Sequence, residues 1–326
     1  MRVLVTGGAG FIGSHFVRQL LSGAYPELAD AETVVLDKLT YAGNPANLAT
    51  VAGHPRYRFV EGDICDGELM AALLRGTDLV VNFAAETHVD RSIEDADAFV
   101  RTNVLGTHTL LRAAADAGGV RVVHISTDEV YGSVADGSWT EDAPLAPNSP
   151  YAASKAASDL MALAFHRTHG LEVCVTRCSN NYGPYQYPEK VIPLFVTRLL
   201  DGGRVPLYGD GRNVRDWIHV DDHCRAVSLV AAKGTPGVYH IGGGSELSNT
   251  GLTERLLALL GRDWSAVESV ADRKGHDLRY SVDASKIRAE LGFAPRVALT
   301  DGLAATVRWY RENRSWWQPL LRHPQP

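Results

Sequence analysis

Val3-Leu4-Val5-Thr6-Gly7-Gly8-Ala9-Gly10-Phe11-Ile12-Gly13 reads as a strand running into a glycine turn, and Ser14 to Leu21 continues as a helix through the apolar positions Phe16, Val17, Leu20 and Leu21. Gly7 and Gly10 permit a tight turn and let the backbone approach a pyrophosphate. Gly13 lets the helix pack closely on the strand, and the free N–H groups at the helix start face the anion. A glycine triplet alone is weak. Here a strand precedes it, a helix follows, and a second strand, Val34-Val35-Leu36, ends on Asp37, the acid that a dinucleotide site needs about twenty positions on. The Asp37 carboxylate accepts hydrogen bonds from a ribose 2'-hydroxyl and repels a 2'-phosphate, which favours NAD over NADP, although Lys38 beside it blunts the repulsion.

The same rhythm continues outward. Arg58-Phe59-Val60 leads to Gly62-Asp63-Ile64, a strand end able to meet an adenine edge, and Asp78 to Phe83 is the next strand, followed by Ala84-Ala85-Glu86-Thr87-His88, whose small residues allow close cofactor approach. Asp97 to Ala117 reads as one helix, with Thr102 and Asn103 polar in its first part. Repeated strand-helix units predict a Rossmann-type α/β fold, a doubly wound parallel sheet. In such sheets ligands bind at the carboxyl ends of strands. The run His124-Ile125-Ser126-Thr127-Asp128-Glu129-Val130-Tyr131-Gly132 places Thr127, Asp128 and Glu129 at a strand end. Tyr151 and Lys155 follow on one face of a helix that runs to about Thr168. An ammonium beside a phenol is expected to lower the Tyr pKa and make it a usable base.

Beyond residue 175 the pattern changes. The strand Val173 to Thr176 is followed by Arg177 to Pro188, rich in Pro, Tyr and Asn, a loop able to grip a polar ligand. A helix Lys190 to Leu200, strands Val205 to Tyr208 and Arg215 to Ile218, a helix Asp221 to Ala232, a strand Val238 to Ile241, and helices near Asn249 to Leu260, Ala284 to Leu291 and Asp301 to Glu312 complete the reading. The division expected is a cofactor-binding domain at 1–178, completed by segments near 210–240 and 300–313. A smaller mixed α/β substrate domain takes 179–209 and 241–299. Asp221 and Asp222 are expected to cap their helix, His219 and His223 to be structural, and the tail after Trp317 to be loosely held.

With 45% hydrophobic and 21% charged residues over 326 positions and a net charge of -6, the chain is long enough for a full core and lacks the basic stripe of a nucleic-acid surface. Met1 runs straight into the first strand, and no apolar stretch approaches the ~18 residues of a membrane span, so a cytoplasmic location is expected. Cys65, Cys174, Cys178 and Cys224 are scattered and read as reduced core thiols, and no metal site is expected.

The glycine motif, Asp37-Lys38-Leu39-Thr40-Tyr41-Ala42-Gly43-Asn44, Ala84 to Ser92, the Thr127-Asp128-Glu129 run, the Tyr151-Lys155 pair and Asn180 to Gln186 together resemble the dTDP-glucose 4,6-dehydratases, a group within the extended short-chain dehydrogenase/reductase family. The resemblance spans nearly the whole chain. The glycines and the Tyr-Lys pair mark the superfamily, whereas the Asp-Glu pair after the Thr separates dehydratases from the related 4-epimerases. The resemblance implies NAD-dependent conversion of dTDP-glucose to dTDP-4-keto-6-deoxyglucose: oxidation at C4, loss of water across C5 and C6, and return of hydride to C6. It implies Tyr151 as base at the C4 hydroxyl, Thr127 bonded to that hydroxyl, Lys155 on the nicotinamide ribose, Glu129 as base at C5 and protonated Asp128 as acid at the C6 hydroxyl. Cofactor contacts carried over are Gly7, Gly10, Phe11, Ile12, Gly13, Asp37, Lys38, Leu39, Thr40, Asp63, Ile64, Ala84, Ala85, Glu86, Thr102, Tyr151, Lys155 and Asn181. Nucleotide-sugar contacts carried over are Thr87, His88, Thr127, Asn180, Lys190, Val191, Ile192, Pro193, Pro206, Leu207, Tyr208, Arg215, Asn249 and the run Asp272-Arg273-Lys274-Gly275-His276-Asp277. Two departures fall at the nucleotide end: Lys274 stands where the common pattern has Pro, and Gly244 to Ser248 differs from the usual form. The resemblance also implies a homodimer through the helices near 97–117 and 151–168. Open alternatives are an NAD-dependent nucleotide-sugar 4-epimerase, a dehydratase of UDP- or GDP-sugars, and a catalytically silent dinucleotide-binding regulator.

Overall fold

The computed structural model describes residues 1–322. Its strands are β1 (Arg2–Thr6), β2 (Glu32–Asp37), β3 (Tyr57–Glu61), β4 (Leu79–Asn82), β5 (Arg121–Thr127), β6 (Glu172–Cys178), β7 (Asn180–Tyr182), β8 (Val205–Tyr208), β9 (Val214–His219), β10 (Gly237–Ile241), β11 (Glu246–Ser248) and β12 (Val267–Val270). Among the described residues, seven strands form one sheet in the order β10-β6-β5-β4-β1-β2-β3, every pairing parallel. A parallel sheet is covered on both faces, which is why β1, β4, β5 and β6 are buried almost end to end rather than at alternate residues. One face packs Phe16, Val17, Val227 and Val230, and the other packs Met70, Leu110, Leu111 and Phe165.

Strand register levels the carboxyl ends. Thr6 stands beside Leu36 and Asn82, Asn82 beside His124, and Thr127 beside Cys178. The segments after β1, β2, β4, β5 and β6 therefore emerge along one edge.

The second part is smaller. β9 pairs with β7 and β11, and β8 pairs with β12. Its core is Phe195, Val196, Leu252, Leu256, Leu303, Val307, Tyr310 and Trp317. The helix Leu299–Glu312 thus joins this core rather than the large sheet, because its Leu303, Val307 and Tyr310 stripe meets the helices Val191–Leu200 and Asn249–Leu260. The helix Val220–Lys233 and β10 do complete the large sheet.

Several local expectations are corrected. The stretch Asp97–Ala117 is not one regular helix: a π-helical segment Val100–Gly106 interrupts it. A π turn widens the backbone locally, and the buried Asn103 it carries bonds the backbone of Glu86 through both side-chain atoms, at 2.9 and 3.0 Å. The Asp221 and Asp222 carboxylates do not cap their helix. His219 does, accepting from the Asp221 N–H at 3.3 Å, while Asp221 meets His15 and Asp222 accepts from the N–H groups of Arg296 and Val297. Cys65 is half-buried rather than core, and Cys174, Cys178 and Cys224 are buried. The tail remains helical through Arg322 with Trp317 fully buried, and residues 323–326 lie outside the described residues.

Beneath the helix Pro150–His169 a polar network is sealed from water. Asp159 accepts from Arg177 Nε at 2.9 Å and lies 3.7 Å from His124, while Arg177 also donates to Tyr131, whose hydroxyl meets His240 at 2.6 Å. Removing one partner strands a buried charge. Arg177→Met is therefore expected to lower the unfolding free energy by roughly 3–5 kcal/mol, read by urea denaturation. A loss within the range of a surface ion pair would show that the network carries no such charge.

Candidate active site

The helix bearing Tyr151 begins where its sequence directs it. Ser149 accepts from the Ala152 N–H at 3.1 Å, and Pro150 fills the first turn. The Tyr151 ring is clamped by Val89 and Phe99, the latter edge-on at 6.3 Å between centroids. Lys155, one turn on, is 3% exposed. Its Nζ donates to the carbonyl of Ile125 at 2.6 Å, on the strand that ends at Thr127. Thr127 Oγ1 donates to Asp128 at 3.3 Å and accepts from the Glu129 N–H at 3.2 Å. The strand end, the helix and the short turn Asp128–Tyr131 thus bring all five expected catalytic side chains to one place.

All five line a cavity of about 300 Å³, and Glu129 also lines an adjoining one of about 480 Å³. Thr87, Glu129, Asn180, Asn181, Gln186, Glu189 and Lys190 line both. The first is walled by the glycine turn, Asp37, Lys38, Thr40, Asp63, Ile64, Ala84, Ala85, Glu86 and Thr102. This wall fits a dinucleotide. Gly7 has φ 66°, and a side chain there would put its Cβ 2.5 Å from the Ala84 nitrogen, so the close approach demands glycine. Asp37 accepts from Ala9 and Leu39 N–H groups at 2.8 Å each, one per oxygen, leaving each oxygen a further lone pair. Lys38 turns away to Asp63 at 2.8 Å, which weakens its expected blunting of the Asp37 charge.

The second cavity carries His88, Lys190, Val191, Ile192, Pro206, Leu207, Tyr208, Arg215, Asn249, Arg273 and His276. Lys190 Nζ is tied to the Thr87 carbonyl at 2.8 Å. Arg215 stacks over Tyr280 at 4.2 Å and donates to the Asp277 carbonyl at 3.0 Å.

Other expected contacts are placed away from the cleft lining. Leu39 packs its side chain on the core. Pro193 is buried in a helix, and its carbonyl accepts from Thr197. Asp272 bonds His276 at 2.6 Å, Lys274 is exposed, and Gly275 sits with φ 64° against the Asn148 carbonyl. Asp277 spends its carboxylate on Asn148 and Tyr280, so it supports Arg215 from behind. The reading from sequence overlooked Gln186, Glu189, Arg91 and Trp217 as lining residues. Gln186 closes the aromatic and amide loop already visible in the chain. Glu189 and Arg91 find each other only in space, at 3.3 Å.

Electrostatics separate the two carboxyls. Asp128 is pushed well above the ordinary aspartate range by burial, then by Glu129 and Asp216, with Arg215 and Thr127 opposing. Among the described residues its Oδ2 has no hydrogen-bond partner, a position that a neutral carboxyl tolerates better than an ion. Burial also raises Glu129, but three cations, Arg273, Arg215 and Lys190, pull it back toward the ionised form. The expected lowering of Tyr151 by Lys155 is not found. The phenol is pushed well above its ordinary value by burial, then by Glu129 and Cys178, while the Thr127 hydroxyl pulls the other way. Helical spacing places Lys155 on the right face, but its ammonium is spent on the Ile125 carbonyl, and burial brings it down to about 8.

A parallel sheet with a dinucleotide cradle and a buried Tyr-Lys pair at its carboxyl edge defines an extended short-chain dehydrogenase/reductase. Residues 4–306 match the family described as GDP-mannose 4,6 dehydratase, and the chain belongs to that family. A dTDP-glucose 4,6-dehydratase of Streptomyces niveus is 62% identical over 98% of this chain and 96% of its own length. The crystal structure of DesIV, a dTDP-glucose 4,6-dehydratase from Streptomyces venezuelae with NAD and TYD bound, aligns with a TM-score of 0.97 at 68% identity, covering 98% of this chain and 100% of that one. The UDP-glucose 4-epimerase of Thermotoga maritima, solved with UDP-glucose, aligns at 0.88 and 33% identity, covering 96% and 100%.

Proposed function

We propose that the chain is an NAD-dependent hydro-lyase that converts dTDP-glucose to dTDP-4-keto-6-deoxyglucose. The observation that carries this reading is the adjacent pair Asp128 and Glu129, one carboxyl held toward its neutral form and the other facing three cations, at a strand end beside Tyr151. The likeness to dehydratases at 62% and 68% identity supports the same substrate.

NAD, when bound, supplies the acceptor for the C4 hydride, the hydride for C6 and a positive charge that favours the Tyr151 phenolate. Tyr151 takes the C4 hydroxyl proton, with Thr127 hydrogen-bonded to that hydroxyl. Lys155, whose ammonium has two N–H groups beyond the one given to Ile125, would hold the nicotinamide ribose. The 4-ketone makes the C5 proton acidic, Glu129 removes it, and Asp128 gives its proton to the C6 hydroxyl, which leaves as water. Glu129 then returns a proton to C5 as C6 is reduced; Tyr151 is left protonated and Asp128 ionised, and one proton passing through solvent from the phenol to the carboxylate resets both. The oxidation at C4 and the reduction at C6 cancel, so no outside oxidant or reductant is needed. A 4-epimerase has no use for an acid-base pair beyond Tyr151, so the two carboxyls favour dehydration. Lys190, Arg215 and Arg273 supply the positive charge for the diphosphate.

The same reading takes residues 1–178 as the core of the cofactor half and the β7, β8, β9, β11 and β12 region as the nucleotide-sugar half. It places the enzyme in the cytoplasm as a homodimer. An apolar face supports the dimer: Val100, Leu105 and Leu160 are 54%, 49% and 59% exposed on the helices around 97–117 and 150–169. Among the described residues no helix is long and apolar enough to cross a membrane.

The activity test is incubation of the purified protein, with no cofactor added, with dTDP-glucose and separately with UDP-glucose. A product lighter by one water from dTDP-glucose alone is expected. Turnover of UDP-glucose only, or none with either sugar after NAD is supplied, would overturn the assignment.

The pH profile follows from the same shifts. Glu129 must be ionised to act, and its pKa is raised, so kcat/KM is expected to fall on the acid side with a midpoint above the ordinary glutamate range. On the alkaline side activity declines as Lys155 loses its proton near 8. An acid limb at or below the value of a free glutamate would show that another group is the base.

A further inference from the structure

The last described helix, Arg314–Arg322, reaches back to the short helix Pro45–Val51 that follows β2. Trp316 Nε1 donates to Asn47 Oδ1 at 2.9 Å across a separation of 269 residues. Asn47 is 2% exposed, and its Nδ2 donates to the carbonyl of Ala9, within the glycine turn, at 2.9 Å. The amide can stand only this way round, because an indole N–H only donates and a backbone carbonyl only accepts. Ala9 in turn donates its N–H to Asp37 at 2.8 Å. One line of hydrogen bonds therefore runs from the indole through the amide and the turn to the carboxylate at the cofactor ribose position.

The same indole backs the opposite wall. Its ring meets Tyr185 edge-on, 5.4 Å between centroids, and Trp309 lies 4.5 Å from the same Tyr. Tyr185 is held at φ 67°, a left-handed conformation that costs a non-glycine residue energy and persists only when its surroundings impose it. Arg18 lies 4.3 Å over the Tyr185 ring and donates to the Asn47 carbonyl at 2.6 Å, which joins the two walls a second time. The next residues, Gln186 and Tyr187, line the cofactor cavity, and the Gln186 carbonyl accepts from Tyr310. Trp317, fully buried, donates to the Tyr310 carbonyl at 2.7 Å and anchors the helix.

We propose that Trp316 is a positioning residue for the cofactor: by holding Asn47 on one side and Tyr185 on the other, it keeps the glycine turn and the Tyr185–Tyr187 loop closed on the dinucleotide, and its loss speeds NAD release. This rests on the reading of the first cavity as an NAD site. It does not depend on which sugar is turned over, because the measurement is cofactor release.

The experiment uses the full chain loaded with NAD and follows dissociation after dilution, for wild type, Trp316→Phe, Asn47→Asp and the double variant. Phenylalanine keeps an aromatic ring facing Tyr185, though a smaller one than the indole, and removes the N–H, which leaves Asn47 Oδ1 buried without a donor. NAD dissociation in Trp316→Phe is expected to quicken on the order of tenfold, while kcat at saturating NAD stays within about twofold of wild type. Asn47→Asp keeps the acceptor for the indole and loses the donor to Ala9, so it should release NAD as readily. The double variant should add little, because both changes cut one line. NAD release at the wild-type rate in Trp316→Phe, an equal fall in kcat and in retention, or fully additive effects would each overturn the proposal. Should Trp316→Phe not fold, Asn47→Asp decides: wild-type release in that variant overturns it.

Discussion

Replacing Glu129 by Gln should stop dehydration and leave C4 oxidation running, so that turnover falls by about 10²–10⁴-fold while reduced cofactor builds up on the protein with dTDP-glucose present. Gln keeps the shape and the hydrogen-bonding reach of Glu but cannot take a proton. Its backbone bond to Thr127 Oγ1 is unaffected, so the strand end should keep its form. The cations Arg273, Arg215 and Lys190, which now face Glu129, would lose an anion to oppose. That change would tighten their hold on a diphosphate rather than weaken it. Single-turnover absorbance of reduced nicotinamide separates the two halves of the reaction. Unchanged turnover in Glu129→Gln would remove this residue from the chemistry.

Tyr151→Phe is expected to act one step earlier. The phenol hydroxyl is the group within reach of Thr127, and the ring contacts with Val89 and Phe99 survive the substitution. Stability should therefore change little, while the first oxidation slows by about a hundredfold or more. No reduced cofactor should accumulate, in contrast to Glu129→Gln. The two variants together assign proton removal at C4 and at C5 to different side chains. An oxidation rate in Tyr151→Phe equal to wild type would move the first base elsewhere.

These variants rest on features that local sequence already displays. A strand, a glycine turn, a helix and a terminal acid within the first 37 residues specify both the sheet and its cofactor edge, because each feature is a short-range property of the backbone. The order Thr127-Asp128-Glu129 after an apolar strand, and Tyr151 four before Lys155 on a helix, likewise place side chains by periodicity alone. What the chain concealed is set by partners distant in sequence. Nothing near Asp277 announces that Asn148 takes one of its oxygens, or that its carbonyl braces Arg215. Nothing near Asp222 shows that its carboxylate belongs to Arg296 and Val297 rather than to its own helix. The π segment at Val100–Gly106 is hidden because an apolar stripe of helical period does not register one extra residue in a turn. The shift of Tyr151 fails to follow from spacing for the same reason. A helix fixes which face Lys155 lies on, and the Ile125 carbonyl fixes where its charge goes.

The central claim is that one sugar undergoes oxidation at C4 and reduction at C6 on a single retained cofactor, with water lost between. Its most direct test is to supply dTDP-glucose carrying deuterium at C4 to the purified protein, with no cofactor added, and to locate the label in the product by NMR. Deuterium at C6 of a 4-keto-6-deoxy sugar is the predicted result. Deuterium still at C4, on a sugar with the hydroxyl inverted and no water lost, would make the chain an epimerase and contradict the roles given to Asp128 and Glu129.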